Sequence, residues 1–151
     1  VIIVKLIDYQ SPLKIEEQNE EQKEEPVEIN DNTSGEFVED YRSTFEELNQ
    51  LIMANQWYLT PRLTLNDVSK LTGLQTRDVS RAINTETKKS FNEYINEYRI
   101  KHICQALDAQ STLSLTRIYT DAGFTSKASF NKVFKVHTGM TPSGYKSKKA
   151  K

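Results

Sequence analysis

The chain has 151 residues, 36% of them hydrophobic and 27% charged, with one cysteine, two histidines, five glycines and four prolines. That length accommodates one ordinary domain plus an arm, and a lone Cys104 beside His102 and His137 excludes an internal disulfide and a zinc-finger ligand set. A net charge of −1 hides a sharp division, because residues 1–47 carry 4 basic and 14 acidic side chains while residues 48–151 carry 16 basic and 7 acidic ones. The basic part is the half suited to meeting a polyanion. The longest charge-free apolar run, Val1 to Val4, is far short of the roughly 20 residues of a membrane span and lacks the layout of a signal peptide. A soluble, cytoplasmic chain is expected.

Residues 1–38 are expected to form an acidic, mostly disordered linker or tail. Val1 to Ile7 is apolar apart from Lys5 and opens without methionine, as a fragment of something longer would. Between Glu16 and Asp31, Glu, Gln and Asn surround Lys23 and Pro26 and leave almost nothing to bury. A solvated spacer is the simplest role, with an acidic decoy folding back on the basic domain as the alternative. Helical patterning starts at Glu39, which places a domain over residues 39–151. Ser43 with Glu46, Thr64 with Asp67 and Ser90 with Glu93 each set a hydroxyl at an expected N-cap and a carboxylate three residues on. Phe45, Leu48 and Ile52 line one side of a first helix, whose end Trp57 and Tyr58 are expected to cover. Phe91, Tyr94, Ile95, Tyr98, Ile103 and Leu107 predict a long later helix, with Cys104 as a buried structural thiol within it. Thr141 followed by Pro142 predicts a short closing helix. No strand-like alternation follows Gly35, so the expected class is all-α with about seven helices.

An internal repeat organises this half of the chain. At an offset of 50 residues, Leu65, Val68, Gly73 and Leu74 match Leu115, Ile118, Gly123 and Phe124. After the turn the offset becomes 51, matching Val79, Ser80, Arg81 and Ile83 with Phe130, Asn131, Lys132 and Phe134. Each copy reads as a short helix, a turn needing one positive-φ residue, and a second helix. Thr76, Arg77, Ser80, Arg81 and Asn84 form the outward set of the first copy, and Lys127, Ala128, Asn131, Lys132 and Lys135 that of the second. Such a helix rests one face on its own domain and offers the other to a DNA major groove.

Residues 63–146, 84 of the 151, resemble the DNA-binding domain of the AraC/XylS family of bacterial transcription regulators. The run GFTSKASFNKVFKVHTGMTPSGYK at residues 123–146 is similar to that family's C-terminal signature almost throughout, and residues 91–107, containing NEYRI, resemble its linker helix. The resemblance implies two helix-turn-helix subdomains joined by a long linker helix, and a sequence-specific binder of double-stranded DNA acting as a regulator's output domain. It also implies RNA polymerase, or an upstream sensor or dimerisation region, as further partners. The phrases FNEYINEYRI and GFTSKASFN look like those at the C-terminus of larger sensor proteins, some tethered to the membrane. Carried over, the contacts fall on Gln75, Arg77, Ser80 and Arg81 in the first unit and on Lys127, Ala128, Asn131 and Lys132 in the second. Arg77 or Arg81 suits guanine, Asn131 adenine and Ala128 a thymine methyl. Lys127, Ser129, Lys132 and Lys135 suit phosphates.

Two positions depart from the family. A small residue in each unit's first helix is Ser69 in one copy but Tyr119 in the other, where the ring must point outward, displace the recognition helix or fill a gap. Lys88 replaces the glycine after the first recognition helix, so that turn is expected to carry strain or change shape. His137 is placed to favour a helix C-terminus. No phosphate loop, metal motif or nucleophile elbow occurs, so no enzyme, cofactor or small-molecule ligand is expected. The alternative from another class is a helical module whose basic face binds an acidic protein or the chain's own arm.

Overall fold

The computed structural model of the chain describes residues 41–149, so the acidic arm lies outside the described residues. Helix α1 is Tyr41–Ala54, followed by a 3-10 turn at Trp57–Leu59. Helices α2 (Leu65–Thr72) and α3 (Thr76–Thr87) form the first repeat. The long α4 (Phe91–Asp108) leads to α5 (Leu115–Asp121) and α6 (Lys127–Thr138), and α7 (Pro142–Lys149) closes the described chain. Among the described residues there are seven α-helices and no strand, the all-α class expected.

Local chemistry explains most boundaries. Thr64 and Asp67 form a reciprocal capping box at the start of α2, with the Thr64 amide donating to Asp67 Oδ2 at 2.9 Å. Ser90 and Glu93 repeat the device on α4. The bonds from Ser90 hold the Glu93 carboxyl below its ordinary pKa. The third expected cap is corrected. Ser43 and Glu46 lie inside α1, which already runs from Tyr41, and Glu46 pairs instead with Arg42 one turn back at 3.9 Å. At α7, Thr141 accepts from the Gly144 amide at 3.2 Å while Pro142 occupies the first helical position, where its missing N–H costs nothing.

Two apolar cores share one helix. Leu48, Ile52, Val68, Val79 and Ile83, all fully buried, form the first with Phe91, Tyr94 and Ile95 from the front half of α4. Ile100, Ile103 and Leu107 from its rear half join Ile118, Phe124, Phe130 and Phe134 in the second. Each such side chain contributes about 1.5–3 kcal/mol on burial. Asn49 of α1 accepts hydrogen bonds from the hydroxyls of Tyr94 at 2.7 Å and Tyr98 at 2.8 Å, tying α1 to α4. Burial, above all, pushes the Tyr94 hydroxyl far above its ordinary pKa and keeps it a donor. Tyr58 is part of the first core and Trp57 packs against it. Cys104 is half-buried rather than enclosed, because it sits at the margin of the stripe formed by Ile100, Ile103 and Leu107.

Candidate nucleic-acid interface

The repeat is a structural one. From α2 to α5 the helix starts move by 50 residues, and from α3 to α6 by 51, so the one-residue insertion falls in the second turn. Gly73 and Gly123 both take left-handed backbone, at φ +74° and +89°. The second helix then starts differently in the two copies. Gln75 occupies the N-cap of α3 without a side-chain cap, whereas Ser126 caps α6 by accepting from the Ser129 amide at 3.2 Å.

The two second helices present matched faces. In α3, Val79, Ala82 and Ile83 are buried while Arg77, Arg81 and Asn84 are exposed and Ser80 is half-buried. In α6, Phe130 and Phe134 are buried while Lys127, Ala128, Ser129, Asn131, Lys132 and Lys135 are all exposed. Every expected contact residue, Gln75 included, therefore lies on α3 or α6 or at its start. Arg77 lies 3.7 Å from the adjacent Asp78, an exposed pairing too weak to withhold it from a ligand. Val136, which is 75% exposed, extends the outward row one turn beyond Lys132. Its apolar character at a four-residue step from a lysine is the signal that marks it.

Tyr119 resolves its own departure. Only 8% exposed, it stacks on Phe130 with ring centroids 4.9 Å apart and an interplanar angle of 21°, filling the space beneath α6. In the first unit the small Ser69 instead donates to the Leu74 carbonyl at 2.5 Å and holds the turn. Lys88 carries the expected strain. It takes the left-handed conformation at φ 58° that glycine adopts without penalty, and its amide donates to the Asn84 carbonyl. His137 stands in the last turn of α6.

One residue was not signalled as functional by the pattern. Arg99 of α4 sits four residues from both Ile95 and Ile103, on the buried stripe, and directs its guanidinium at the carbonyls of Tyr58 and Thr60. A basic side chain on an otherwise apolar stripe was the available signal. Among the described residues no group of His, Cys, Asp and Glu is placed to hold a metal, and no helix is long and apolar enough to cross a membrane.

These features define a double helix-turn-helix domain in which the second helix of each unit exposes a polar face carrying basic side chains. A family model for the helix-turn-helix domain matches residues 68–148, more than half of the chain. The chain belongs to this family, in its AraC-type form, and is a DNA-binding domain of the transcription-regulator class. The Msm operon regulatory protein of Streptococcus mutans serotype c is 31% identical over 84 residues, which is 56% of this chain and 30% of that protein. The chain thus spans under a third of that curated relative. The fold matches the C-terminal domain of AraT, a response regulator from Geobacillus stearothermophilus, with TM-score 0.62 and 22% identity over 69% of this chain and 84% of that one. It also matches a transcriptional regulator with an AraC-type DNA-binding domain from Chromobacterium violaceum, with TM-score 0.62 and 20% identity over 72% and 96% of the two chains.

Proposed function

We propose that residues 39–151 read a specific double-stranded DNA sequence with α3 and α6 in successive major grooves, about 34 Å apart on one face of the duplex. The observation that carries this reading is the matched pair of outward faces, on which Thr76, Arg77, Ser80 and Arg81 of one recognition helix correspond, at the 51-residue offset, to Lys127, Ala128, Asn131 and Lys132 of the other. Arg81 or Arg77 pairs with guanine O6 and N7, Asn131 with adenine N6 and N7, and Ala128 with a thymine methyl. Gln75 and Ser80 flank the first reading face. Lys127, Ser129, Lys132, Lys135 and the helix N-termini hold phosphates and set register. A single copy reads an asymmetric site. RNA polymerase, or an upstream sensor or dimerisation region, is its further partner, with the cytoplasm as its place of action.

In-vitro selection from a randomised duplex library tests the reading, with affinities taken by fluorescence anisotropy at several salt concentrations. Enrichment of two blocks one helical turn apart is expected, with affinity falling steeply as salt rises. Weak binding without enrichment would overturn it.

A further inference from the structure

We propose that Arg99 is a positioning residue that locks the two helix-turn-helix units at one mutual orientation and thereby sets the spacing accepted between two DNA blocks. The proposal rests on the two-groove reading above. Arg99 lies where α4 passes from the first core to the second. Its Nε donates to the Tyr58 carbonyl at 2.7 Å, its Nη2 donates to the Thr60 carbonyl at 2.8 Å, and its Nη1 reaches Asn96 Oδ1 at 3.5 Å. The guanidinium carbon stands 5.6 Å from the centroid of the Phe124 ring, in the turn of the second unit. One planar fork therefore joins the 3-10 segment of the first unit to the turn of the second.

Gly123 closes the same seam. A Cβ at that position would lie 2.8 Å from the Leu59 carbonyl oxygen and 3.1 Å from Arg99 Nε, so the two backbones meet directly there. Leu59 packs against both cores. Among the described residues the partners of Arg99 are carbonyls, an amide and a ring rather than a carboxylate. Directional acceptors hold the guanidinium by geometry, which lysine with its single ammonium does not reproduce. Burial pulls the Arg99 pKa down to about 10, which leaves it cationic at neutral pH.

Orientation matters because linked readers reinforce one another only when both sites are reached together. Adding one base pair between the blocks turns the second by about 35° around the duplex, a mismatch that a rigid domain does not absorb. The test uses the full chain on the selected two-block duplex, on versions with one base pair added or removed between blocks, and on one-block duplexes. For the unaltered chain, misspacing is expected to weaken binding about 100-fold. For Arg99→Gln, affinity at the selected spacing should fall roughly tenfold and the misspacing penalty should shrink to about threefold, as expected of loosely linked readers. One-block binding should stay unchanged, a result that damage to folding would not give.

A full misspacing penalty in Arg99→Gln, or a parallel loss of one-block binding, overturns the proposal. If that variant loses its cooperative unfolding transition, Arg99→Lys is measured instead, and an undiminished penalty there overturns it too. An unaltered chain that enriches only one block removes the two-groove reading and this proposal with it. Two blocks with an undiminished penalty in the variants remove the proposal alone.

Discussion

Replacing Gly123 with alanine should cost far more stability than the same change at Gly73, although the two glycines occupy equivalent turns. Both have positive φ, so each variant pays the left-handed penalty of about 1–2 kcal/mol for a residue with a Cβ, offset by about 0.4–1 kcal/mol from a stiffer unfolded chain. At Gly73 that is all, since nothing lies within 4 Å of the added carbon. At Gly123 the carbon meets the Leu59 carbonyl at 2.8 Å and Arg99 Nε at 3.1 Å. Neither can swing aside, the first being backbone and the second held to the Tyr58 carbonyl at 2.7 Å. Overpacking of this kind adds about 1–3 kcal/mol. Urea unfolding should therefore place Gly73→Ala about 1 kcal/mol below the parent and Gly123→Ala a further 1–3 kcal/mol or so lower, with m unchanged. Losses equal to within about 0.5 kcal/mol would refute the close approach.

Lys88→Gly should raise stability by about 1 kcal/mol in the same assay, because it removes a left-handed lysine whose exposed Nζ bond to the Thr85 carbonyl contributes little. Tyr119→Ala should lose about 3–5 kcal/mol through the cavity left beneath Phe130, and a near-neutral result would mean that the ring does not fill the second core. Arg81→Ala should weaken binding to the selected site by about 1–3 kcal/mol and relax preference at one base position, whereas uniform loss across sequences assigns Arg81 to phosphate. Hydrogen bonds from Lys89, then from Lys101, hold the Glu97 carboxyl below its ordinary value of 4.5. A depressed carboxyl contributes stability above its unfolded pKa and loses it as pH falls through the folded one. Chemical denaturation from about pH 6 down to about pH 3 should show Glu97→Gln with a shallower decline below about pH 4.5 than the parent, and parallel curves would rule out this carboxyl as a source of the acid sensitivity.

Much of this architecture is written locally. Apolar periodicity, the capping pairs at Thr64 and Ser90 and the recurring glycine turn depend on neighbours a few residues apart, which is why the repeat and its shift from 50 to 51 residues are legible before any tertiary contact is known. The outward faces of α3 and α6 follow from the same period. Local signals also mislead where a longer element overrides them, as α1 does by starting at Tyr41 and taking Ser43 into its interior.

Tertiary structure decided what depends on distant partners. Tyr119 departs from its family's pattern, and only the approach of Phe130 determines that the ring is buried and stacked. Cys104 falls at the margin of a core whose edge no helical period defines. Arg99 meets carbonyls 39 and 41 residues away, and Gly123 meets the Leu59 backbone, contacts that exist only where the two cores meet along α4. The sequence by itself determined two helix-turn-helix units and the side chains their second helices turn outward, because helices and turns are short-range objects. Where the two units meet depends on packing and on the contacts of the half-buried Arg99, because a seam is made of residues far apart along the chain.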